Sequence, residues 1–160
     1  MKSLIAYFSC IGVTEQVARS IAKINHGDIY GIKPKVPYTA ADLNWNDPNS
    51  RSSLEMKNKT SRPAIIKDIE NIEQYDVIFI GFPIWWYLAP TIINTFLENY
   101  DFKDKTIVPF ATSGGSGAGG TDKYLQISCV DAKWHPTTVL NDFSQERLTK
   151  WLNDLNLYEE

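Results

Sequence analysis

Apolar residues are grouped along this chain in short runs that alternate with stretches of helical spacing. The run at residues 76–82 is almost wholly apolar, which is typical of a strand covered on both faces. Comparable runs predict strands at residues 2–8, 28–33, 76–82, 105–112 and 133–139. Pro109 lies inside the fourth run and weakens the pattern there, because proline cannot donate a backbone hydrogen bond.

Between these strands, apolar residues recur at intervals of three and four, as they do on one face of a helix. The spacing predicts helices at residues 13–24, 52–58, 63–72, 90–97, 122–129 and 144–155. Ser144 is the expected N-cap of the last one. Because strands alternate with helices, we predict an α/β fold, a doubly wound parallel sheet with helices on both faces and right-handed crossovers.

Three unusual loops follow the first, third and fourth strands, so they should lie at the same edge of the sheet, where such folds bind ligands. The first loop, residues 9–14, ends at a helix N-terminus, which favours a phosphate group. Gly12 allows the backbone to approach closely, and Ser9 and Thr14 add hydroxyl donors. The alternative is an ordinary turn in which Thr14 is the helix N-cap.

The other two loops carry aromatic and glycine residues. Trp85 and Trp86 follow Pro83 after the third strand, and a glycine-serine run at 113–120 follows the fourth. Together the three loops predict a cleft for a flat, phosphorylated, aromatic ligand. The tryptophans could instead belong to the core, and the glycine run could be a flexible linker. Tyr38 and Trp45, in the long polar segment 34–62, either pack on the core or serve the ligand.

Composition narrows the possible functions. With 160 residues, 43% of them hydrophobic and 22% charged, the chain fits one domain over residues 1–160. The net charge of −3 argues against nucleic-acid binding. No apolar run is long enough to cross a membrane, and we find no secretory signal, so we expect a cytoplasmic protein. Cys10 and Cys129 are then expected to be reduced, and the histidines lack metal-ligand spacing.

The sequence resembles the flavodoxin family over nearly its whole length. Ser9, Gly12 and Thr14 match that family's phosphate-loop pattern, in which a hydroxyl residue is followed by two variable positions, Gly, a variable position and Thr. Residues 83–86 are similar to the isoalloxazine loop of short-chain bacterial members, and residues 110–117 to their third flavin loop.

The resemblance implies a flavodoxin-like five-stranded sheet of order 2-1-3-4-5 and an FMN cofactor. It implies cofactor contacts at Ser9, Cys10, Ile11, Gly12, Val13, Thr14, Pro83, Ile84, Trp85, Trp86, Tyr87, Thr112, Ser113, Gly114, Gly115, Ser116 and Gly117. The chain departs from the family at three positions. Many relatives have a hydroxyl residue in place of Ile11, Asn in place of Val13 and Gly in place of Tyr87.

Other phosphate-binding classes fit the first loop less well. Cys10 stands where low-molecular-weight tyrosine phosphatases have their nucleophile, but Gln16 replaces the arginine that their chemistry needs. No Gly-Lys-Ser/Thr follows the turn, as a P-loop requires. A response-regulator receiver would need acidic residues where Ser9 and Pro83 stand.

Three functions remain open at this point. The first is an electron carrier, in which FMN passes electrons between partner proteins and no side chain is catalytic. The second is an FMN-dependent NAD(P)H oxidoreductase that acts on quinones or similar acceptors. The third is a flavin-binding protein without a redox role. No residue marks a nicotinamide site, which favours the carrier, and we assign no metal and no catalytic residue.

Overall fold

The computed structural model describes residues 1–141 and 144–157. Its strands are β1 (Ser3–Tyr7), β2 (Asp28–Gly31), β3 (Val77–Pro83), β4 (Thr106–Thr112), β5 (Lys133–Trp134) and β6 (Thr138–Val139). Its helices are α1 (Val13–Asn25), α2 (Arg51–Lys57), α3 (Thr91–Asn99), α4 (Thr121–Gln126) and α5 (Gln145–Asp154). The end of the predicted 1–160 domain, at residues 158–160, lies outside the described residues.

The strands form one parallel sheet of order β2-β1-β3-β4-β5, and β6 also pairs with β4. This confirms the predicted order 2-1-3-4-5. β1 lies between β2 and β3, so the strand order reverses at β1. The chain adds β2 on one side of β1 and then adds β3 on the other side. The register pairs Tyr7 with Gly81, and the N–H of Phe8 donates to the carbonyl of Gly81 at 2.9 Å. The loops that follow β1 and β3 therefore start side by side.

Alternate side chains of the buried strands fill two cores, one on each face of the sheet. On one face, Ile5 and Phe79 pack with residues of α1 and α5, including Leu148. On the other face, Ile78 and Ile80 pack with residues of α3 and α4, including Phe96. The two-sided burial explains why the strands read as continuous apolar runs. β4 runs unbroken through Pro109, which stands opposite Ile80 in the pairing with β3.

The prediction of one continuous fifth strand at 133–139 is wrong, because the segment is divided into β5 and β6. Pro136 lies between them and has no N–H to continue the ladder. Both pieces pair with β4, so they share the fifth position in the sheet. The Asp122 carboxylate accepts hydrogen bonds from the N–H (2.9 Å) and hydroxyl (2.6 Å) of Thr137, which holds the divided segment in place.

The predicted helix at 63–72 is also wrong. Residues 64–66 are extended along the segment that follows β2, where Lys35 N–H donates to Ala64 O at 2.8 Å and Ile66 N–H donates to Lys33 O at 2.9 Å. A single 3-10 turn follows at Ile72–Gln74. The isoleucines that suggested a helix still pack against the core. The helix in the connection between β2 and β3 is α2.

The other helices agree with the prediction to within a few residues. α2 begins after Ser50, whose hydroxyl accepts from Ser53 N–H, and α5 begins after Ser144, whose hydroxyl accepts from Arg147 N–H. α4 is shorter than the predicted helix at 122–129. Among the helices of the described residues, none combines the length and apolar character that a membrane crossing requires.

Candidate functional site

A cavity of about 710 Å³ opens at the carboxyl edge of the sheet. It is lined by Ser9, Cys10, Ile11, Val13, Thr14, Leu43, Trp45, Ser52, Pro83, Ile84, Trp85, Trp86, Tyr87, Thr112 and Ser116. An adjoining cavity of about 550 Å³ shares part of this wall and adds Ser113, Gly114, Gly115, Leu140 and Asn141. The fold thus brings the three loops together, while Gly12 and Gly117 line neither cavity.

The first loop turns sharply into α1 at Gly12, whose φ of 93° lies in the left-handed region that favours glycine. Gly12 N–H donates to Ser9 Oγ at 3.1 Å, which folds the loop back on itself. Gly12, and not Thr14, is the residue that precedes the helix, so the alternative with Thr14 as N-cap is wrong. The first N–H groups of α1 have no acceptor within the helix, and Val13 and Thr14 lie on the cavity wall.

Thr14 is buried, at 2% exposure, and its Oγ1 lies 2.8 Å from Oγ1 of Thr112 at the end of β4. Each hydroxyl can donate one hydrogen bond and accept two. In the pair, one hydrogen is used between the threonines and the other is available to a ligand. This contact joins the first loop to the strand that carries the glycine loop.

The aromatic loop forms a tight turn from Trp85 to Leu88. Trp85 N–H donates to Leu88 O at 2.8 Å, and Leu88 N–H donates to Trp85 O at 3.1 Å. The two central residues, Trp86 and Tyr87, have φ values of 47° and 65°, as in a type I′ turn. Such turns favour Gly, Asn or Asp at these positions, so two large aromatic residues make this one strained.

The two tryptophans have different environments. Trp85 is half-buried and meets the rings of Phe8 and Tyr38 edge to face, each with centroids 5.8 Å apart. Trp86 is 45% exposed. Trp85 therefore packs partly in the core, which was the alternative interpretation of the tryptophans, although both of them line the cavity.

Tyr38, the first conspicuous aromatic of the 34–62 segment, packs on the core and is tied to α2. Its hydroxyl donates to the Glu55 carboxylate, and the Arg51 guanidinium lies 3.7 Å from its ring centre. Arg51 Nε is also 3.0 Å from Glu55 Oε2. Burial, and then the hydrogen bond to Glu55, raise the pKa of Tyr38, so this phenol stays neutral. The cluster supports Trp85 from behind.

The glycine loop lies within the fold, between β4 and α4, and is bonded both to itself and to Asn141, so it does not connect separate units. Ser113 N–H donates to Asn141 Oδ1 at 2.9 Å, and the Ser113 and Ser116 hydroxyls are 3.0 Å apart. At the far end of the loop, a Cβ on Gly119 would lie 2.5 Å from Tyr87 O. The glycine loop and the aromatic turn therefore touch directly, and this contact requires glycine.

Cys10 lies on the cavity wall but is poorly suited to nucleophilic chemistry. Burial raises the pKa of its thiol to about 11; the Arg51 charge lowers it in part and Glu55 raises it. A thiol with this pKa is protonated at neutral pH, whereas a nucleophilic cysteine must be a thiolate. The structure thus agrees with the absence of an arginine at position 16 in excluding a phosphatase-like role.

A family model described as flavodoxin matches residues 2–155. The chain belongs to the flavodoxin family. The match covers both the sheet and the three loops that line the cavity, which confirms the resemblance stated from their residues.

Solved structures agree with this assignment. A protein of Bacteroides eggerthii DSM 20697, provisionally described as a flavoprotein, is 47% identical, with 98% of each chain covered and a TM-score of 0.92. A similarly described protein of Bacteroides uniformis ATCC 8492 is 47% identical over 95% of this chain and 97% of its own, with a TM-score of 0.90. A comparison with curated proteins gave no match.

A more distant structure shows the same fold with its ligand. The flavoprotein of Lactobacillus acidophilus NCFM, determined in complex with FMN, is 21% identical over 94% of this chain and 98% of its own, with a TM-score of 0.73. The two chains therefore share their fold over nearly their whole length.

Within this flavodoxin-family chain, the cavity also contains residues that the sequence did not place there. Leu43 and Trp45 come from the segment between β2 and α2, Ser52 from the first turn of α2, and Leu140 and Asn141 from the residues directly after β6. Trp45 carried a signal, since a large aromatic residue in a polar segment needs something to contact. Leu43 and Ser52 carried none, because only the folding of the segment brings them to the wall.

We predict that Cys10 reacts slowly with iodoacetamide. In a Cys129→Ser variant without cofactor, the alkylation rate should still rise about tenfold from pH 9 to pH 10, because the thiol is not yet ionised. Glutathione, measured alongside, should already approach its plateau, since an ordinary thiol has a pKa of about 8.5. A plateau for Cys10 below pH 9 would contradict the raised pKa.

We also predict that the aromatic turn stores strain at Tyr87. Left-handed backbone costs a non-glycine residue roughly 1–2 kcal/mol, and glycine loses about 0.5–1 kcal/mol of extra chain entropy on folding. The Tyr87→Gly variant should therefore be more stable than Tyr87→Ala by about 0.5–1 kcal/mol in urea unfolding. Tyr87→Ala is the control because it removes the same ring and keeps Cβ. Equal stability of the two variants would show that the turn is unstrained.

Proposed function

We propose that this chain binds FMN and uses it to carry electrons between redox partners. The observation that supports this most strongly is the position of α1. The first turn of this helix of 13 residues borders an aromatic cavity at the point where strand order reverses. Helix N-termini favour anionic groups, and aromatic walls favour flat ring systems.

The first loop fits a single phosphate. The N–H groups at the start of α1 point toward the turn, and the hydroxyls of Ser9 and Thr14 lie on the same wall. These donors remain although Ile11 and Val13 replace the polar residues found in many relatives. A single helix N-terminus serves one phosphate, so we propose FMN and not FAD.

The aromatic turn and the glycine loop fit the ring system. Trp85 and Trp86 offer flat surfaces, and the two hydrogen bonds between Trp85 and Leu88 hold the backbone of their turn. Bound FMN would supply the electron-transfer chemistry, while the protein binds it, orients it and shields it from water. The FMN complex of the Lactobacillus acidophilus protein supports this assignment, since it shares the fold.

The chemistry of the wall favours a carrier over an enzyme that moves protons. The described lining residues include no Asp, Glu, His, Lys or Arg. Cys10 stays protonated near neutral pH, because its pKa is about 11. The cavity thus offers no carboxylate, imidazole or amine for acid-base catalysis.

An FMN-dependent NAD(P)H oxidoreductase acting on quinones or similar acceptors is the second candidate. It is favoured by one observation, the extension of the cavity to Leu43 and Trp45, outside the three loops assigned to the cofactor. An acceptor molecule would contact this additional wall.

Phosphate recognition is tested by calorimetric titration with FMN, FAD and riboflavin. FMN should bind more tightly than the other two. Thr14→Val should weaken the binding of FMN by about 10- to 100-fold, since a hydrogen bond to a charged group contributes roughly 1.5–3 kcal/mol. Riboflavin, which has no phosphate, should bind the variant and the parent equally.

Thr112→Val is the matched control, because it removes the Thr14–Thr112 hydrogen bond but keeps the Thr14 hydroxyl. If it weakens FMN binding as much as Thr14→Val does, the threonine pair as a unit, and not the Thr14 hydroxyl alone, is what FMN binding requires. Preferential binding of FAD would overturn the cofactor assignment.

The choice between carrier and enzyme is tested with the FMN-loaded protein by steady-state NADH and NADPH oxidation, with a quinone as acceptor. A carrier should show no turnover above free FMN at the same concentration, but should accept electrons from a flavodoxin reductase. Substantial NAD(P)H turnover would establish the oxidoreductase instead. Tight FMN binding with no reduction by either donor would indicate a flavin-binding protein without a redox role.

A further inference from the structure

The indole N–H of Trp85 has no oxygen, nitrogen or sulfur acceptor among the described residues. This sets Trp85 apart from Trp134 and Trp151, whose indole N–H groups donate to a backbone carbonyl at 2.8 Å and to a threonine hydroxyl at 3.3 Å. Trp45 and Trp86 are exposed, so water can accept from them, whereas Trp85 is half-buried. A buried tryptophan usually finds a partner for this group, which makes Trp85 the exception.

The Trp85 N–H is nevertheless open to a molecule that enters the site. Within the described part of the chain, Asn25 Nδ2 alone is a fully buried side-chain nitrogen or oxygen without a partner. The indole nitrogen of Trp85 therefore retains accessible surface, and Trp85 borders both cavities. These observations place an unused hydrogen-bond donor at the cavity wall.

The indole ring is held in position by its neighbours. Its centre lies 5.8 Å from the ring centres of Phe8 and Tyr38, at interplanar angles of 81° and 69°. Phe8 and Tyr38 also meet edge to face at 5.5 Å, so the three rings form one cluster. Phe8 is 2% exposed and directly follows β1, which ties the cluster to the sheet. The direction of the donor is thus set in advance, and such preorganisation lowers the entropy cost of binding.

Tyr38 is itself fixed by an ion pair on α2. Its hydroxyl donates to the Glu55 carboxylate, and the Arg51 guanidinium lies 3.7 Å from its ring centre. Arg51 also donates to Val36 O at 2.6 Å and to Glu55 Oε2 at 3.0 Å. The Arg51 and Glu55 side chains are only 21% and 14% exposed, so salt screens this pair less than a surface pair. The pair therefore holds Tyr38, and Tyr38 in turn holds Trp85.

The donor restricts which flat ring can fill the cavity. A ring that covers Trp85 displaces water from the N–H, and a desolvated donor without an acceptor costs free energy. The hydroxyls on the wall can rotate to donate or to accept, whereas an indole N–H can only donate. A hydrocarbon ring cannot satisfy it, so the ring that binds here must carry an acceptor where it meets Trp85.

We propose that Trp85 donates a hydrogen bond from its indole N–H to a carbonyl oxygen or an imine nitrogen of the bound flavin ring. This contact makes Trp85 a specificity-determining residue for the ring, and Tyr38 a positioning residue that acts through Trp85. Trp86, which is 45% exposed, is assigned no hydrogen bond to the ring. The inference rests on the proposed function, because FMN must occupy the cavity.

Hydrogen exchange of the indole N–H tests the contact directly. It is measured by NMR on the isotope-labelled protein, and the Trp85 signal is assigned with Trp85→Phe or, if that variant does not fold, with Trp85→Tyr. Without FMN, Trp85 should exchange faster than Trp134 and Trp151, because these two are bonded within the protein. FMN should slow exchange at Trp85 by at least about tenfold and leave the other two unchanged.

Affinity and vibrational spectra separate a hydrogen bond from simple coverage of the N–H. Calorimetry compares the parent, Trp85→Phe and Trp86→Phe, which is the matched control because it truncates the neighbouring indole. Trp85→Phe should weaken the binding of FMN and of riboflavin by the same factor, about 3- to 10-fold, as expected for a neutral hydrogen bond to the ring. Trp86→Phe should bind both ligands as the parent does.

In infrared spectra of bound FMN, a carbonyl or a C=N band should lie at lower wavenumber in the parent and in Trp86→Phe than in Trp85→Phe. The band that moves identifies the acceptor. Tyr38→Leu should shift this band toward its position in Trp85→Phe, because the indole loses its support. Tyr38→Phe keeps the ring that packs on Trp85 and should therefore keep the band of the parent.

Several results would overturn the contact: slow exchange of the Trp85 N–H without FMN, no slowing when FMN binds, or equal FMN affinities or coinciding FMN bands in the parent and Trp85→Phe. Tyr38 would lose its positioning role if Tyr38→Leu kept the parent band. These results leave the proposed function standing, since the parent binds FMN in each of them. If the parent binds no FMN, the proposed function fails and the contact fails with it.

Discussion

The pairing of β1 with β3 is the constraint on which the rest of the site depends. Tyr7 stands opposite Gly81, so the first loop and the aromatic turn begin at the same level of the sheet. A shift of the register by one residue would turn every side chain of β1 to the opposite face. Leu4 would then point into the core that now holds Ile5, and Ile5 into the core that now holds Leu4, which would disrupt the close packing of both. The burial of both sheet faces therefore fixes the geometry of the cavity as well as the fold.

Side-chain contacts then join the loops to one another. The Thr14 and Thr112 hydroxyls connect the first loop with the end of β4, and Gly119 lies against the carbonyl of Tyr87. Behind the aromatic turn, Tyr38 is held by Arg51 and Glu55 and packs edge to face on Trp85. Because these residues are bound mainly to each other, the loops can keep a shape suited to a ligand without contributing charges to the wall.

The cavity combines two kinds of recognition, one at the N-terminus of α1 and one at its uncharged wall. The helix end attracts an anion through its backbone N–H groups, while the remaining surface favours apolar rings. Cys10 illustrates the effect on chemistry, because the same burial that suits an aromatic ring raises the pKa of its thiol to about 11. Such a site fits a protein whose bound cofactor does the chemistry. It is poorly suited to acid-base or nucleophilic catalysis by side chains.

The α/β class, the strand runs and the three loops of the cavity could be predicted from the sequence, because continuous apolar runs and a helix-starting glycine turn are local signals. The strand order and the FMN expectation came from the flavodoxin resemblance. Local patterns did not show that residues 64–66 are extended or that Trp45 and Ser52 reach the cavity. These features arise from pairing and packing between segments distant in the chain, which override local propensity and leave no periodic pattern in the sequence.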